Sequence, residues 1–322
     1  MKYIIANKSD LKDMNELWNE VVNLDGFYKP YTYSQYEKKM LENPDFDFNN
    51  VILALDNEKL VGFSILINSN RNKDNAFLNA LVVKKEYQNQ GIGANLLKLT
   101  EEKAKELNKK KLIATGFLPS CYEWYIPKTD KHDHPCAPGV SINSQIYLFL
   151  LHHGYKTYGY CDAFHLALSD YTISSKIKEI LENNEKEGIT IELYDKNKHT
   201  GLEEFYKDIN IYDFEKVIRE NLALEKPYPF LVISQKGKIK GWTGAMWNEE
   251  SGRGHFDGIA ISPSLRGKGL GKALFSSLAL YSKENGAKFM TFYTGLTNYA
   301  RYIYMGAGFK IVQSFCSLEK DL

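Results

Sequence analysis

The sequence predicts two mixed α/β units in tandem, and three observations carry that prediction. First, His255-Phe-Asp-Gly-Ile-Ala-Ile261, Ser262 to Leu265 and Arg266-Gly-Lys-Gly269-Leu-Gly271 have a near copy upstream. The copy is Phe77-Leu-Asn-Ala-Leu-Val-Val83, Lys84 to Tyr87 and Gln88-Asn-Gln-Gly91-Ile-Gly93. Gln88, Gly91 and Gly93 lie 178 positions before Arg266, Gly269 and Gly271, so the register holds without a gap. Second, each copy reads as an apolar strand, a turn with two glycines and an amphipathic helix, the later one with Leu270, Ala273, Leu274, Leu278 and Tyr281 at helical spacing. Third, the elements before the motif come in one order in both halves.

In the first half, Lys2 to Ala6 reads as a strand, and Ser9 or Asp10 caps a helix reaching about Val22. A second helix starts near Ser34. Val51 to Leu55 and Leu60 to Asn68 form a hairpin across Asp56-Asn57-Glu58, leading to the motif strand at Phe77. The second half repeats this: a strand at Thr190 to Leu193, helices near Gly201 to Lys207 and Tyr212 to Asn221, and strands Phe230 to Ser234 and Lys240 to Trp247. Between the halves, Ser174 to Glu187 is charged, with Ile177, Ile180 and Leu181 at helical spacing, and reads as a connecting helix. The expected division is a domain at 1–170, a linker helix at 171–188 and a domain at 189–322. Pro127 to Val140, with three prolines and two histidines, is the clearest irregular segment and reads as a surface loop or a lid.

Composition narrows the class. A length of 322 residues suits two domains of about 150 each, and 43% hydrophobic content fills two cores. The net charge is +1, with 41 basic residues matched by 40 acidic ones, which gives no reason to expect a nucleic-acid partner. No run of 18 apolar residues and no leader pattern occurs, so the expectation is a soluble, cytoplasmic protein without a membrane partner. The four cysteines fit a reducing compartment. Cys121, His132, His134 and Cys136 offer two thiols and two imidazoles, but their spacing matches no familiar metal-ligand pattern, and no metal is expected. Monomer and homodimer both stay open.

The motif itself suggests a ligand. Glycines at 269 and 271 remove side chains where a ligand approaches the backbone, and the unpaired N–H groups of the new helix suit a pyrophosphate. The pattern is neither G-x-G-x-x-G nor a P-loop.

At these residues the chain resembles the GNAT acetyltransferase superfamily, whose pyrophosphate loop reads Gln/Arg-x-x-Gly-x-Gly/Ala. Asn298-Tyr-Ala-Arg-Tyr-Ile-Tyr304-Met-Gly-Ala-Gly308-Phe309 resembles the last helix and turn of that family. The resemblance implies two GNAT-like domains, each a mostly antiparallel mixed sheet flanked by helices, and acetyl-CoA as the cofactor. Carried onto this sequence, its cofactor contacts fall on Ile259, Ala260, Ile261, Arg266, Gly267, Lys268, Gly269, Leu270, Gly271, Lys272 and Asn298. In the first half they fall on Val83, Gln88, Gln90, Gly91, Ile92 and Gly93. The family's base and its sulfur-protonating phenol fall on Asp257 and Tyr304, whereas the same offsets in the first half give Asn79 and Leu150, which cannot move a proton. Chemistry is therefore expected in the second domain, with the first non-catalytic.

The expected acceptor is a primary amine on a small molecule. Trp124, Trp242 and Tyr293 are candidate substrate contacts. The lysine-, asparagine- and isoleucine-rich usage and the tandem arrangement resemble clostridial glucosamine and glucosaminide N-acetyltransferases, which points to an amino sugar. An aminoglycoside, a polyamine or an amino-acid conjugate is the alternative acceptor, and a non-catalytic acetyl-CoA sensor the alternative class.

Overall fold

Two segments of the chain, Met1–Ala163 and Val312–Leu322, fold together as unit 1, and Phe164–Ile311 forms unit 2. The structure is a computed structural model and describes residues 1–70, 72–114 and 122–322.

Unit 1 opens with β1 (Lys2–Ile5), α1 (Leu11–Asp25) and α2 (Tyr33–Leu41). Gly26, left-handed at φ 71°, ends α1 by donating to Val22, and Thr32 with Gln35 forms a capping box that starts α2. Next come β2 (Val51–Asp56), β3 (Lys59–Ile67), β4 (Asn75–Val83), α3 (Ile92–Glu106) and β5 (Lys111–Ala114). The short hairpin β6 (Trp124–Tyr125) and β7 (Asp133–His134), then β8 (Val140–Ser141), α4 (Gln145–His152) and β9 (Lys156–Ala167) follow. Side chains of β3 alternate between two helix layers. Phe63, Ile65 and Ile67 pack with Leu11, Met14 and Trp18 of α1, while Ser64 meets Thr100 of α3 at 2.8 Å.

Unit 2 contains α5 (Ser175–Lys186), β10 (Ile189–Leu193), α6 (Leu202–Ile209), α7 (Tyr212–Leu222), β11 (Phe230–Gln235), β12 (Lys238–Gly244), β13 (Trp247–Asn248) and β14 (Gly254–His255). It continues with β15 (Gly258–Ile261), α8 (Leu270–Glu284), β16 (Phe289–Gly295) and α9 (Ala300–Gly306), and the chain ends in β17 (Lys310–Asp321). The antiparallel sheet β10-β11-β12-β15 carries α6 and α7 on one face and α8 on the other.

Three features differ from the sequence expectation. The last strand is counted with unit 1, because β17 pairs with β5 from Leu318↔Ala114 to Asp321↔Lys111 and buries Phe315, Cys316 and Leu318 there. The segment expected as a linker is α5, a working part of unit 2, with Ile177 buried and Ile180 packed against the glycine turn. The proline-rich segment is packed rather than a surface loop: Asp133, His134, Cys136 and Ala137 are buried in unit 1. Cys121 lies outside the described residues. No helix among the described residues is long and apolar enough to cross a membrane.

Candidate active site

Among the described residues, the motif strand of unit 2 has a ladder partner on one side only. β15 pairs with β12 from Gly241↔Ile261 to Gly244↔Gly258, and the route to β16 is a single parallel bridge, Arg253↔Phe289. In unit 1 the equivalent pair, Asn75↔Lys111, starts a parallel ladder that reaches Leu78↔Ala114. Beside β15 the chain encloses a cleft of about 460 Å³, lined by Ile259, Ala260, Ile261, Arg266, Ala300 and Ile303 together with Ile209, Ile211 and Tyr299.

The glycine turn runs from this cleft to the start of α8. Gly267 and Gly269 are left-handed (φ 83° and 76°), as are Asn89 and Gly91 at the equivalent places in unit 1 (φ 59° and 83°). Alternating left- and right-handed residues turn successive N–H groups to one side, which makes an anion-binding nest. The backbone N–H groups of Gly267 to Gly271, and those of Asn89 to Gly93, have no acceptor among the described residues. A second cavity of about 440 Å³ opens at the unit 2 turn, with Lys176, Lys268 and Lys272 in its wall.

Asp257 lies just before β15. Its Oδ1 accepts from His255 Nε2 at 3.0 Å and its Oδ2 from the Ala245 N–H at 3.1 Å. His255 Nδ1 is 3.3 Å from Glu249 Oε1, and Arg253 grips Glu249 through Nε at 2.7 Å and through Nη2. Burial alone disfavours the charged ring of His255, but its hydrogen bonds to Asp257 and Glu249 outweigh that and raise its pKa. For Glu249 burial is likewise outweighed, by His255 and Arg253, and the carboxyl is held down at about 2. The His255 ring stacks on Trp247, centroids 3.6 Å apart, and Tyr228 packs on that indole.

Tyr304 of α9 sits among Phe164, Phe275 and Phe292, with 7% of its surface exposed. Burial pushes the phenol up to about 12. Phe292 also packs on Phe256, the neighbour of Asp257, so one run of rings leads from the phenol towards the carboxylate. The Tyr304 hydroxyl has no hydrogen-bond partner among the described residues and is not among the sealed, unpartnered polar atoms.

Family models match residues 18–121 and 192–309 to the acetyltransferase (GNAT) family. The chain belongs to that family. Among curated proteins no match is found. Solved structures share the fold at low identity. One is the region described as a GCN5-related glucosamine N-acetyltransferase in a fungal multi-domain GH3 β-N-acetylglucosaminidase, with TM-score 0.66, 16% identity, and coverage of 99% of this chain and 38% of that one. The chain thus spans well under half of that fungal protein. A GCN5-related N-acetyltransferase from Sphaerobacter thermophilus follows, with TM-score 0.60, 13% identity, and coverage of 99% and 95%. A tandem GNAT protein from the clavulanic acid biosynthesis pathway gives TM-score 0.58, 12% identity, and coverage of 99% and 98%.

Against this GNAT frame the predicted residues separate. Ile259, Ala260, Ile261 and Arg266 line the cleft, and Gly267, Lys268, Gly269 and Lys272 line the second cavity. Leu270 and Ile92 bury their side chains, so each offers the turn only its backbone. Lys268 is drawn into an ion pair with Glu187. Asn298 is exposed, and its Oδ1 accepts from the Ala300 N–H, a local cap on α9. In unit 1, Val83 accepts through its carbonyl from Gln88 Nε2 at 3.0 Å, and Gln90 Nε2 donates to the Glu86 carbonyl at 2.8 Å, so both glutamine amides brace their own turn.

Two of the three substrate contacts need correction. Trp124 is wholly buried in unit 1, its Nε1 donating to the Cys136 carbonyl, and Trp242 is 1% exposed against Phe214. Neither indole can reach an acceptor. Tyr293 is half-buried on β16. The sequence reading missed His255, Glu249, Arg253 and Tyr228 as members of the site. The available signal was the two-residue spacing of His255 and Asp257, which places two side chains on one side of an extended segment.

Proposed function

We propose that unit 2 is an acetyl-CoA-dependent N-acetyltransferase acting on the primary amine of a small molecule, with an amino sugar of the glucosamine type as the acceptor, and that unit 1 does not catalyse. The observation that carries this is an asymmetry at equivalent positions. Unit 2 has a carboxylate and a phenol, Asp257 just before β15 and Tyr304 on α9; neither side chain lines the cleft itself, but Ile259 and Ile303, close to each in the chain, do. Unit 1 has Asn79, which accepts from the Tyr122 hydroxyl at 2.9 Å, and Leu150, wholly buried.

The residues fit the cofactor's shape and charge. Five successive unpartnered N–H groups at Gly267 to Gly271 suit a pyrophosphate, with the dipole of α8 behind them. The isoleucine-lined cleft suits an uncharged pantetheine arm. Bound acetyl-CoA supplies an activated acetyl thioester. Asp257 takes a proton from the acceptor ammonium, which frees the nitrogen lone pair for attack. Tyr304, held protonated by burial, is the donor for the departing sulfur. Arg266, exposed at the cleft mouth and without an ion-pair partner among the described residues, is the phosphate clamp.

Two features support the amino-sugar acceptor. The fungal structure with TM-score 0.66 is described as a glucosamine N-acetyltransferase region. Trp247 and Tyr228 provide aromatic surface next to two carboxylates, Glu249 and Asp257, a combination that suits a ring with a C–H face and an amine. Thiol release measured across glucosamine, a chitobiose-type glucosaminide, an aminoglycoside and spermidine tests the reading. Glucosamine or the glucosaminide should give the highest kcat/KM. If no amine raises free CoA above the hydrolysis rate, the protein is an acetyl-CoA sensor instead.

A further inference from the structure

We infer that His255 is a positioning residue that fixes the Asp257 carboxylate towards the acceptor and, by gaining or losing a proton, sets the acid limb of the activity. The inference rests on the reading of unit 2 as an amine acetyltransferase.

The geometry supplies the argument. Asp257 holds one donor on each oxygen, His255 Nε2 and the Ala245 N–H, so the carboxylate cannot swing without breaking a hydrogen bond. Among the described residues, the titratable and charged groups against the ring are Glu249, Arg253 and Asp257, with the uncharged Trp247 indole on its face. Arg253 is anchored from the neighbouring strand by the Thr291 carbonyl, at 3.3 Å.

The network exists in two charge states. With a neutral ring, Nε2–H donates to Asp257, Nδ1 faces Arg253 Nη2 at 3.4 Å, and the four residues sum to one negative charge. Such a site attracts an ammonium ion. A proton added at Nδ1 makes the ring a donor to Glu249 as well, and the site becomes neutral. Asp257 then faces a full cation, which competes with the acceptor's ammonium for the carboxylate.

Two measurements test this, one of which needs no turnover. The first is NMR titration of the His255 ring in the full chain. Its midpoint should lie above the ordinary histidine value and fall on Asp257→Asn; an unchanged midpoint in that variant would overturn the coupling. The second is kcat/KM against pH with the best acceptor. His255→Ala should lose about tenfold above neutral pH, the effect of removing a hydrogen bond to a charged group. His255→Gln, which keeps a neutral donor, should recover most of that loss and lack the wild-type acid limb, leaving only the acceptor's own titration. An acid limb in His255→Gln identical to wild type would overturn the switch. Absence of thiol release in the wild type would instead defeat the acetyltransferase reading and leave the NMR result standing.

Discussion

Asp257 and Asn79 lie 178 residues apart at equivalent points of the duplicated motif and accept hydrogen bonds of nearly equal length from different partners: His255 Nε2 at 3.0 Å, and the Tyr122 hydroxyl at 2.9 Å. The histidine belongs to a charged network that reaches the surface. The tyrosine is buried and stacked on Trp18 with centroids 4.5 Å apart, so it fills the space beside Asn79 with core. Divergence at one backbone position therefore changed both the group and the room around it.

Asp257→Asn should lower kcat/KM for the acceptor by roughly 100- to 10,000-fold, the range for losing a positioned base. The reciprocal change, Asn79→Asp, should give unit 1 no activity, because Tyr122 still occupies the neighbouring space. Single-turnover thiol release from both variants checks the pair. Restored turnover in a double variant carrying both changes would show that the tyrosine does not block unit 1.

Tyr304→Phe should lower turnover by roughly 100-fold while leaving stability unchanged or slightly higher. The hydroxyl has no partner to lose, and the ring keeps its contacts with Phe275 and Phe292. With its pKa raised to about 12, Tyr304 stays protonated through the accessible range and adds no basic limb to the wild-type profile below about pH 10. A kcat matching wild type in the phenylalanine variant removes the donor role.

The two glycine turns look alike in sequence but should respond differently to alanine. A Cβ at Gly91 meets nothing within 4 Å, so Gly91→Ala carries the left-handed backbone cost alone, about 1–2 kcal/mol. At Gly269 the added carbon would lie 2.9 Å from Ile180 Cδ1 and 3.3 Å from its Cγ2, so the Ile180 side chain must also shift, which adds to that backbone cost. Denaturant unfolding of the two variants should rank them in that order, and equal losses would mean that α5 yields freely at the turn.

Deleting Val312–Leu322 should damage unit 1 more than its position in the sequence suggests. The segment contributes Phe315 and Leu318, each wholly buried, and apolar side chains of this size stabilise by about 1.5–3 kcal/mol apiece. Hydrogen exchange should then rise across Lys111–Ala114, whose ladder with Leu318 to Asp321 is lost. Protection of that strand in the truncated chain would contradict the assignment.

These outcomes mark which parts of the molecule were legible in the sequence. The glycine turns and their helices were, because a turn's dihedrals and a helix's apolar face are set by residues close in the chain. The pairing of β17 was not: the burial of Phe315, Cys316 and Leu318 identifies an apolar segment, but strand partners are chosen by contacts distant in sequence. Trp242 and Trp124 looked like binding aromatics, since residue type alone does not report depth. Arg253 and Glu249 carried no sequence signal of their own, because it is the strand geometry that closes them around His255.

The same network predicts how unit 2 responds to acid. Glu249 has a folded-state pKa of about 2, below its ordinary value of 4.5, so its ion pairing adds stability above the unfolded value and loses it as pH falls from about 4.5 towards 2. His255 shifts the other way: its raised pKa adds stability that is complete below 6.5 and is lost as pH rises through the folded value. Together they place the network's largest contribution between about pH 4.5 and 6.5, where Glu249 is ionised and His255 charged. Glu249→Gln should therefore destabilise unit 2 most in that window and least near pH 2, where wild-type Glu249 is itself becoming protonated. Thermal unfolding of both proteins from pH 2 to 8 provides the comparison, and a Tm difference independent of pH would mean that Glu249 acts through packing rather than charge.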